Sequence, residues 1–419
     1  MAQPDKNHVG GYVAFSYGDF TLYQIARFFI VAALEMQSVA VGWQVYDITR
    51  RPLDLGLIGL AQFLPSFLLF LVAGHAVDRF ERRRILVLCY AGLAICSGLL
   101  LAITFVHYRA VYSIYVVMIL VGIVRSFSAP GGRAFLPELV AEEHFPNAVA
   151  WNATIFEGAT ILGPAIGGFL YALAKGPSIV YGAALITGIA ATVSMLRIQS
   201  RAKPRPREEI SMKTVLAGLH YIWQQKVILG AISLDLFAVL LGGAVALLPV
   251  FAREILHTGP WGLGLLRSAP GIGAAIMALA VAHRPLKRKV GVTMLWCVAG
   301  FGICTIIFGL SRSLILSLIA LLLLGAADMV SVIIRGVLVQ LGTPDAMRGR
   351  VNSVEMLFIG ASNELGQFES GITAAWLGTV PAVILGGVGT LVVIGIWAWF
   401  FPELRNADQF VSVQDEALP

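Results

Sequence analysis

Twelve runs of about 20 mostly apolar residues divide this 419-residue chain, at about 21–46, 54–77, 84–106, 111–136, 146–173, 178–197, 227–252, 261–283, 290–310, 313–341, 351–376 and 380–401. At 1.5 Å per residue, a helix of about that length crosses the roughly 30 Å of hydrocarbon in a bilayer. Lipid offers nothing for a backbone amide to bond, so each isolated span has to satisfy its own amides as a helix. The sequence therefore predicts an all-α membrane protein with twelve transmembrane helices. Composition agrees: 58% of residues are hydrophobic and 13% charged, against about 25% charged in soluble domains. The formal charge of +6 does not point to nucleic acid, because the Lys and Arg residues sit in short loops between apolar runs.

Those loops set the orientation. One group holds Arg79, Arg82, Arg83 and Arg84; Arg197, Arg201, Lys203, Arg205, Arg207 and Lys213; Arg284, Lys287, Arg288 and Lys289; and Arg348 and Arg350. The opposite group holds Arg50, Arg51, Arg109, Lys175, Arg253 and Arg312. The positive-inside rule makes the first group cytoplasmic, and an even number of spans puts both termini there too.

The chain also repeats itself. Val45 to Arg84 aligns without a gap on Val250 to Lys289, about 205 residues later, with Val45-Tyr46 on Val250-Phe251, Gly59-Leu60 on Gly264-Leu265 and Pro65 on Pro270. Arg133 and Asn152 echo Arg335 and Asn352 with small gaps. Two pseudo-symmetric six-helix bundles are expected, 1–197 and 227–401, with a linker at 198–226 and a tail at 402–419. Lys203-Pro204-Arg205-Pro206-Arg207 reads as extended linker. After it, Met212, Val215, Leu216, Leu219, Ile222 and Trp223 share one face, which predicts a surface-lying amphipathic helix.

Ionisable residues deep in the spans carry the functional signal: Glu35, Arg125, Glu157, Asp235, Asp328, Glu364 and Glu369. A charge at the bilayer centre costs about 2.5–3.5 kcal/mol. Seven together approach 20 kcal/mol, more than the roughly 5–15 kcal/mol by which a fold is stable. They are therefore expected to be paired, neutralised or facing a watery cavity. Asp328 and Arg335 are seven apart on one face, about 10 Å along the axis, too far for a direct pair. The repeat sets Arg125 beside the equivalent of Asp328. Glu364 and Glu369 point about 140° apart, so at most one faces a cavity squarely. Buried carboxylates suit proton carriage, and Glu35 or Asp235 is expected to exchange a proton as substrate binds. In the basic loop, Asp78 is placed to accept hydrogen bonds from a helix N-terminus, the start of the eleventh span near Arg350 to Ser353. Arg82 and Arg83 are placed to pair with Glu138.

Other chemistries lack their signatures. There is no Gly-x-x-x-x-Gly-Lys loop for ATP, no hydrolase motif and no metal spacing among the histidines, so neither catalysis nor a cofactor nor a metal is expected. Cys89 and Cys96, like Cys297 and Cys304, are seven apart on one helix, roughly 10 Å of rise and too far to bridge. A membrane sensor would need a sizeable soluble output domain, which is not apparent.

Gly74-x-Ala-Val-Asp78-Arg79-x-Glu81-Arg82-Arg83-x-x-Leu86 resembles the loop signature of the major facilitator superfamily between its second and third spans, with Glu81 where the family usually has a second glycine. Gly158-Ala-Thr-Ile-Leu-Gly163-Pro164-Ala-Ile-Gly167-Gly168 is similar to the antiporter motif of that family's exporters, and Arg125 lies where the family often places an arginine. Asp78 to Arg83 together with Thr343 to Asn352 resembles the enterobactin-exporter and macrolide-efflux branch. The resemblance implies the major facilitator fold and alternating access around a midplane site. It implies a cytoplasmic gate of Gly74, Asp78, Arg79, Arg82, Arg83 and Glu138, and a cavity to which Glu35, Arg125, Asp235, Asp328, Arg335 and Glu364 are candidates. Gly158, Gly163, Pro164, Gly167 and Gly168 are expected at helix contacts, where proline bends a helix and glycine admits a neighbour. The implied activity is export of a small amphipathic molecule, drug-like or a siderophore, against protons, by a monomer in the bacterial cytoplasmic membrane. The alternative within transport is an importer or uniporter of a metabolite.

Overall fold

The computed structural model describes residues 11–106, 111–199, 212–284 and 288–408. The Lys203 to Arg207 run lies outside them. Among the described residues every regular element is helical, as a lipid solvent demands. The chain forms two compact units, Met1–Ile48 with Leu64–Glu209, and Thr49–Phe63 with Ile210–Pro419.

The first seven helices are α1 (Gly18–Thr49), α2 (Pro52–Leu68), α3 (Phe70–Arg79), α4 (Arg82–Phe105), α5 (Val111–Phe135), α6 (Phe145–Ala174) and α7 (Ser178–Arg197). The predicted second span is not one straight helix: α2 and α3 meet at Leu69 with a bend of 54°. Pro65 lies one turn before the break. It has no N–H to give the Ala61 carbonyl, and its ring crowds that carbonyl, so the ladder is weakest there. Within the first unit, α4 packs on α5 and α7, and α3 packs on α5. Gly188 of α7 lies against Ala94 of α4, where a Cβ would come within 3.0 Å of the alanine Cβ. Polar ties cross the apolar packing: the Ser97 hydroxyl donates to Gln37 Oε1 at 2.7 Å, and the Tyr181 hydroxyl to Gln44 Oε1 at 2.6 Å. Each satisfies a group that lipid would leave unbonded.

The second unit continues with α8 (Met212–Gln224), α9 (Lys226–Leu241), α10 (Leu248–Val250), α11 (Gly259–His283), α12 (Val290–Leu310), α13 (Leu314–Leu341), α14 (Asp345–Leu377), α15 (Thr379–Phe400) and α16 (Pro402–Arg405). The predicted amphipathic helix is α8, and its apolar face is docked on protein. Ile222 is fully buried with Ile228, Ile232, Val351 and Val354. Gly218 lets α8 approach α14 so closely that a Cβ would lie 2.6 Å from the Arg350 carbonyl oxygen. Leu216 and Trp223 on the same helix stay exposed.

The predicted seventh span, 227–252, is also interrupted. α9 stops at Leu241, and a 3-10 turn (Ala244–Leu247), α10 and a π turn (Phe251–Ile255) follow. Gly242-Gly243 is a poor helix-forming pair. It admits α14: a Cβ on Gly243 would lie 3.0 Å from the Gly366 carbonyl. The Ser370 hydroxyl then donates to the Gly243 carbonyl at 3.0 Å, replacing a lost helical bond. Elsewhere α11 and α13 pack through Gly273 against the Leu322 carbonyl and Gly325 against the Pro270 backbone, and α12 meets α15 at Gly302 and Gly387. Residues 49–63 join this unit because Gly56 and Gly59 lie on α14, with Cβ positions 3.1 Å from Gly371 Cα and 3.0 Å from Gln367 Cβ.

Ten helical segments are individually long and apolar enough to cross a membrane, and the bent α2–α3 pair makes eleven. The twelfth span is α14. Its 33 residues are ample in length, but Glu355, Asn363, Glu364, Gln367 and Glu369 make it too polar to stand among the apolar ones.

Candidate functional site

In the first unit the basic loop resolves into separate jobs. Arg82 is buried at the start of α4, forms an ion pair with Glu138, and donates to the Ala134 carbonyl at 3.3 Å. The carboxylate compensates the guanidinium charge away from water, while Nε has no hydrogen-bond partner among the described residues. Arg83 does not join it. Its guanidinium caps the last turn of α7, donating to the carbonyls of Leu196 at 2.6 Å and Met195 at 3.4 Å. The Met195 carbonyl also accepts the Ile198 N–H at 3.3 Å, and a cation complements the negative end of the helix. Arg84 pairs with Glu81 at 2.6 Å on the surface. Gly74 is buried, Arg79 is exposed, and Asp78 is half-buried with its Oδ2 lacking a hydrogen-bond partner among the described residues.

Gly163 and Gly167 sit on α1. Their Cβ positions would fall 2.6 Å from Glu35 Cβ and 2.8 Å from Met36 Cα. Pro164 and Gly168 are buried beside them. Gly158 differs, with open space where a Cβ would go. Glu35 is half-buried on α1, Glu157 half-buried on α6 and Arg125 exposed on α5. Arg27 of α1, unnoticed in the sequence because it lies near the start of its span, places its guanidinium 5.3 Å from the Phe156 ring centroid of α6, a cation–π contact.

The second unit concentrates its buried charge on α9, α13 and α14. Arg335 of α13, 4% exposed, pairs with Asp235 of α9 and, through Nε, with Glu355 of α14 at 3.2 Å. Asp328 lies too far along α13 to be the partner of Arg335, as its spacing predicts, and no salt bridge forms between them. It lines a cavity of about 10 Å³ with Asp235 and Ser331. Glu355 was not legible as a site residue, because it sits at the edge of its span where a carboxylate usually faces water. Glu364 accepts from Gln367 at 3.4 Å, and Glu369 from Thr373 at 2.7 Å. Among the described residues no cluster of His, Cys, Asp or Glu has metal-binding geometry.

Helices that cross a membrane while holding charge inside define a class: a multi-span transporter of the major facilitator fold. Solved structures agree. A bacterial homologue of the iron transporter ferroportin in its inward-facing state matches with a TM-score of 0.69 at 15% identity, covering 93% of this chain and 99% of that one. A POT family transporter matches with a TM-score of 0.73 at 12% identity, over 92% and 96%. The chain belongs to the transmembrane secretion effector family, whose model matches residues 10–417. It is 26% identical over 398 residues to the enterobactin exporter EntS of Citrobacter koseri, 94% of each chain. It is equally similar to the enterobactin exporter EntS of Escherichia coli, 26% over 390 residues and 92% of each.

Proposed function

We propose that this protein is a secondary exporter of a small amphipathic molecule, drug-like or a siderophore, with enterobactin as the first substrate to test, driven by inward proton movement through alternating access. The observation that carries the reading is the buried Asp235–Arg335–Glu355 set with Asp328 beside it in membrane-crossing helices of a secretion family. Charge held where lipid penalises it is a functional site by default. The coupling and cavity residues are drawn from Glu35, Arg125, Asp235, Asp328, Arg335 and Glu364. Gly74, Asp78, Arg79, Arg82, Arg83 and Glu138 form the cytoplasmic gate, and Gly163, Pro164, Gly167 and Gly168 hold α6 on α1. In this reading the chain is a monomer of two six-span halves, 1–197 and 227–401, in the bacterial inner membrane with both termini cytoplasmic.

The test is uptake of a compound panel, including enterobactin, into inside-out vesicles with and without an acid interior. Uptake that rises with interior acidity is expected. Uptake indifferent to the gradient removes proton coupling, and transport only in the opposite direction removes export.

A further inference from the structure

Two carboxylates share one guanidinium in the second unit, and a third lies beside them. Arg335 holds Asp235 and Glu355, and Asp328 faces Asp235 across their shared cavity. Apolar side chains, Val239, Val298 and Phe301 among them, close the cavity. Ser331, 2% exposed, lines it too, and its buried hydroxyl has no hydrogen-bond partner among the described residues. A buried donor is rarely left so, and about 10 Å³ is the least space that holds one water.

No other charge reaches Asp328 from the helices packed on α13. α9 brings Asp235, with Lys226 at its first residue, and α12 brings no Asp, Glu, Lys or Arg. α11 brings Arg267 and, at its last residue, His283. Arg267 lies one turn before Pro270, Asp328 one turn after Gly325, and Pro270 packs on Gly325. With only α12 between them, α11 and α13 run in the same direction, so Arg267 is about 9 Å along the axis from Asp328. One cation therefore serves three acids. Two like charges a cavity apart cannot both be ionised cheaply in a dry site, and the one without its own ion pair takes the proton. Among the described residues Asp328 is the one with no salt bridge.

We propose that Asp328 binds the exchanged proton, that Asp235 stays ionised in its pair with Arg335, and that the Ser331 hydroxyl and one water in the shared cavity hold the neutral acid in place. This rests on the proton-antiport reading above. The proton adds to one carboxylate oxygen of Asp328 from hydronium and leaves from that oxygen to water; no other bond changes. Once it leaves, the added negative charge beside Asp235 draws the Arg335 guanidinium toward that side and away from Glu355, so the protonation state of α13 is transmitted to α14.

Infrared difference spectroscopy on the full chain in proteoliposomes, with isotope-labelled aspartate, reads this directly. The wild type should show a protonated aspartic acid carbonyl band near neutral pH. Asp328→Asn should abolish it, Asp235→Asn should move its loss to lower pH by removing the like charge, and Asp328→Glu should replace it with a band that no longer responds to aspartate labelling. A band that survives Asp328→Asn, or one whose pH dependence Asp235→Asn leaves unchanged, overturns the assignment. A pH-sensitive dye inside the vesicles, with enterobactin as the added probe, separates the two proposals. Proton movement in the wild type that Asp328→Asn leaves undiminished overturns the Asp328 assignment alone. Enterobactin transport in the wild type without proton movement overturns the antiport reading and the assignment together.

Discussion

Arg335 bridges Asp235 on α9 and Glu355 on α14, and its removal would strand two carboxylates. Breaking a buried pair from one side costs about 3–5 kcal/mol, because the charge left behind has lost its compensation. Arg335→Met should therefore lower the thermal unfolding midpoint in detergent markedly. Adding Asp235→Asn to it should recover part of the loss, since the two effects are not independent. Glycines make a second case at this scale. Gly167 meets Met36 Cα, so Gly167→Val must push α6 off α1, at about 1–3 kcal/mol by the usual cost of overpacking. Gly158 has open space, and Gly158→Ala should stay within about 0.5 kcal/mol by the same melting assay. Asp235 and Asp328 were legible from depth in an apolar run, and Arg335 from the internal repeat. Their pairing was not, because three helices distant in sequence supply the partners. The antiporter-like motif likewise marked Gly158 and Gly167 alike, and only the placement of α1 tells them apart.

Among the elements, the interrupted spans and α8 are the ones whose character the sequence understated. Pro65 and Gly242-Gly243 were visible, but proline and glycine pairs are common in membrane helices that stay continuous. At Gly243 the break is held by Ser370 and Gly366, both on α14. α8 was legible as an amphipathic helix from the spacing of Val215, Leu219 and Ile222. Its periodicity fits a lipid surface as well as a protein groove. Gly218 and the buried Ile222 show the groove, while Trp223 remains exposed. A side chain at Gly218 would collide with the Arg350 carbonyl. Gly218→Leu should therefore undock the helix, seen as faster amide hydrogen exchange across 215–224 with the membrane spans unchanged.

For the whole molecule, charge asymmetry predicts the orientation: Arg79, Arg82, Arg83, Arg84, Arg284 and Arg288 are expected on the cytoplasmic side. In a variant lacking Cys89, Cys96, Cys297 and Cys304, a cysteine introduced as Asn406→Cys should react with a membrane-impermeant maleimide only after cells are permeabilised. Labelling of intact cells would reverse the topology. The four native cysteines are free, so their removal breaks no disulfide.

The membrane environment, the helical class and the twelve spans followed from hydropathy, because the transfer of each residue into lipid is a local free energy that adds along the chain. The span that became α14 is the weakest of them by that measure, since its polar residues oppose the sum. Tertiary structure alone decided that Arg82 and not Arg83 meets Glu138, that Glu355 joins Arg335, and that Ser370 mends the gap at Gly243. Such choices depend on which helix faces meet, and that is settled by close packing between segments far apart in sequence, a property no local sum contains.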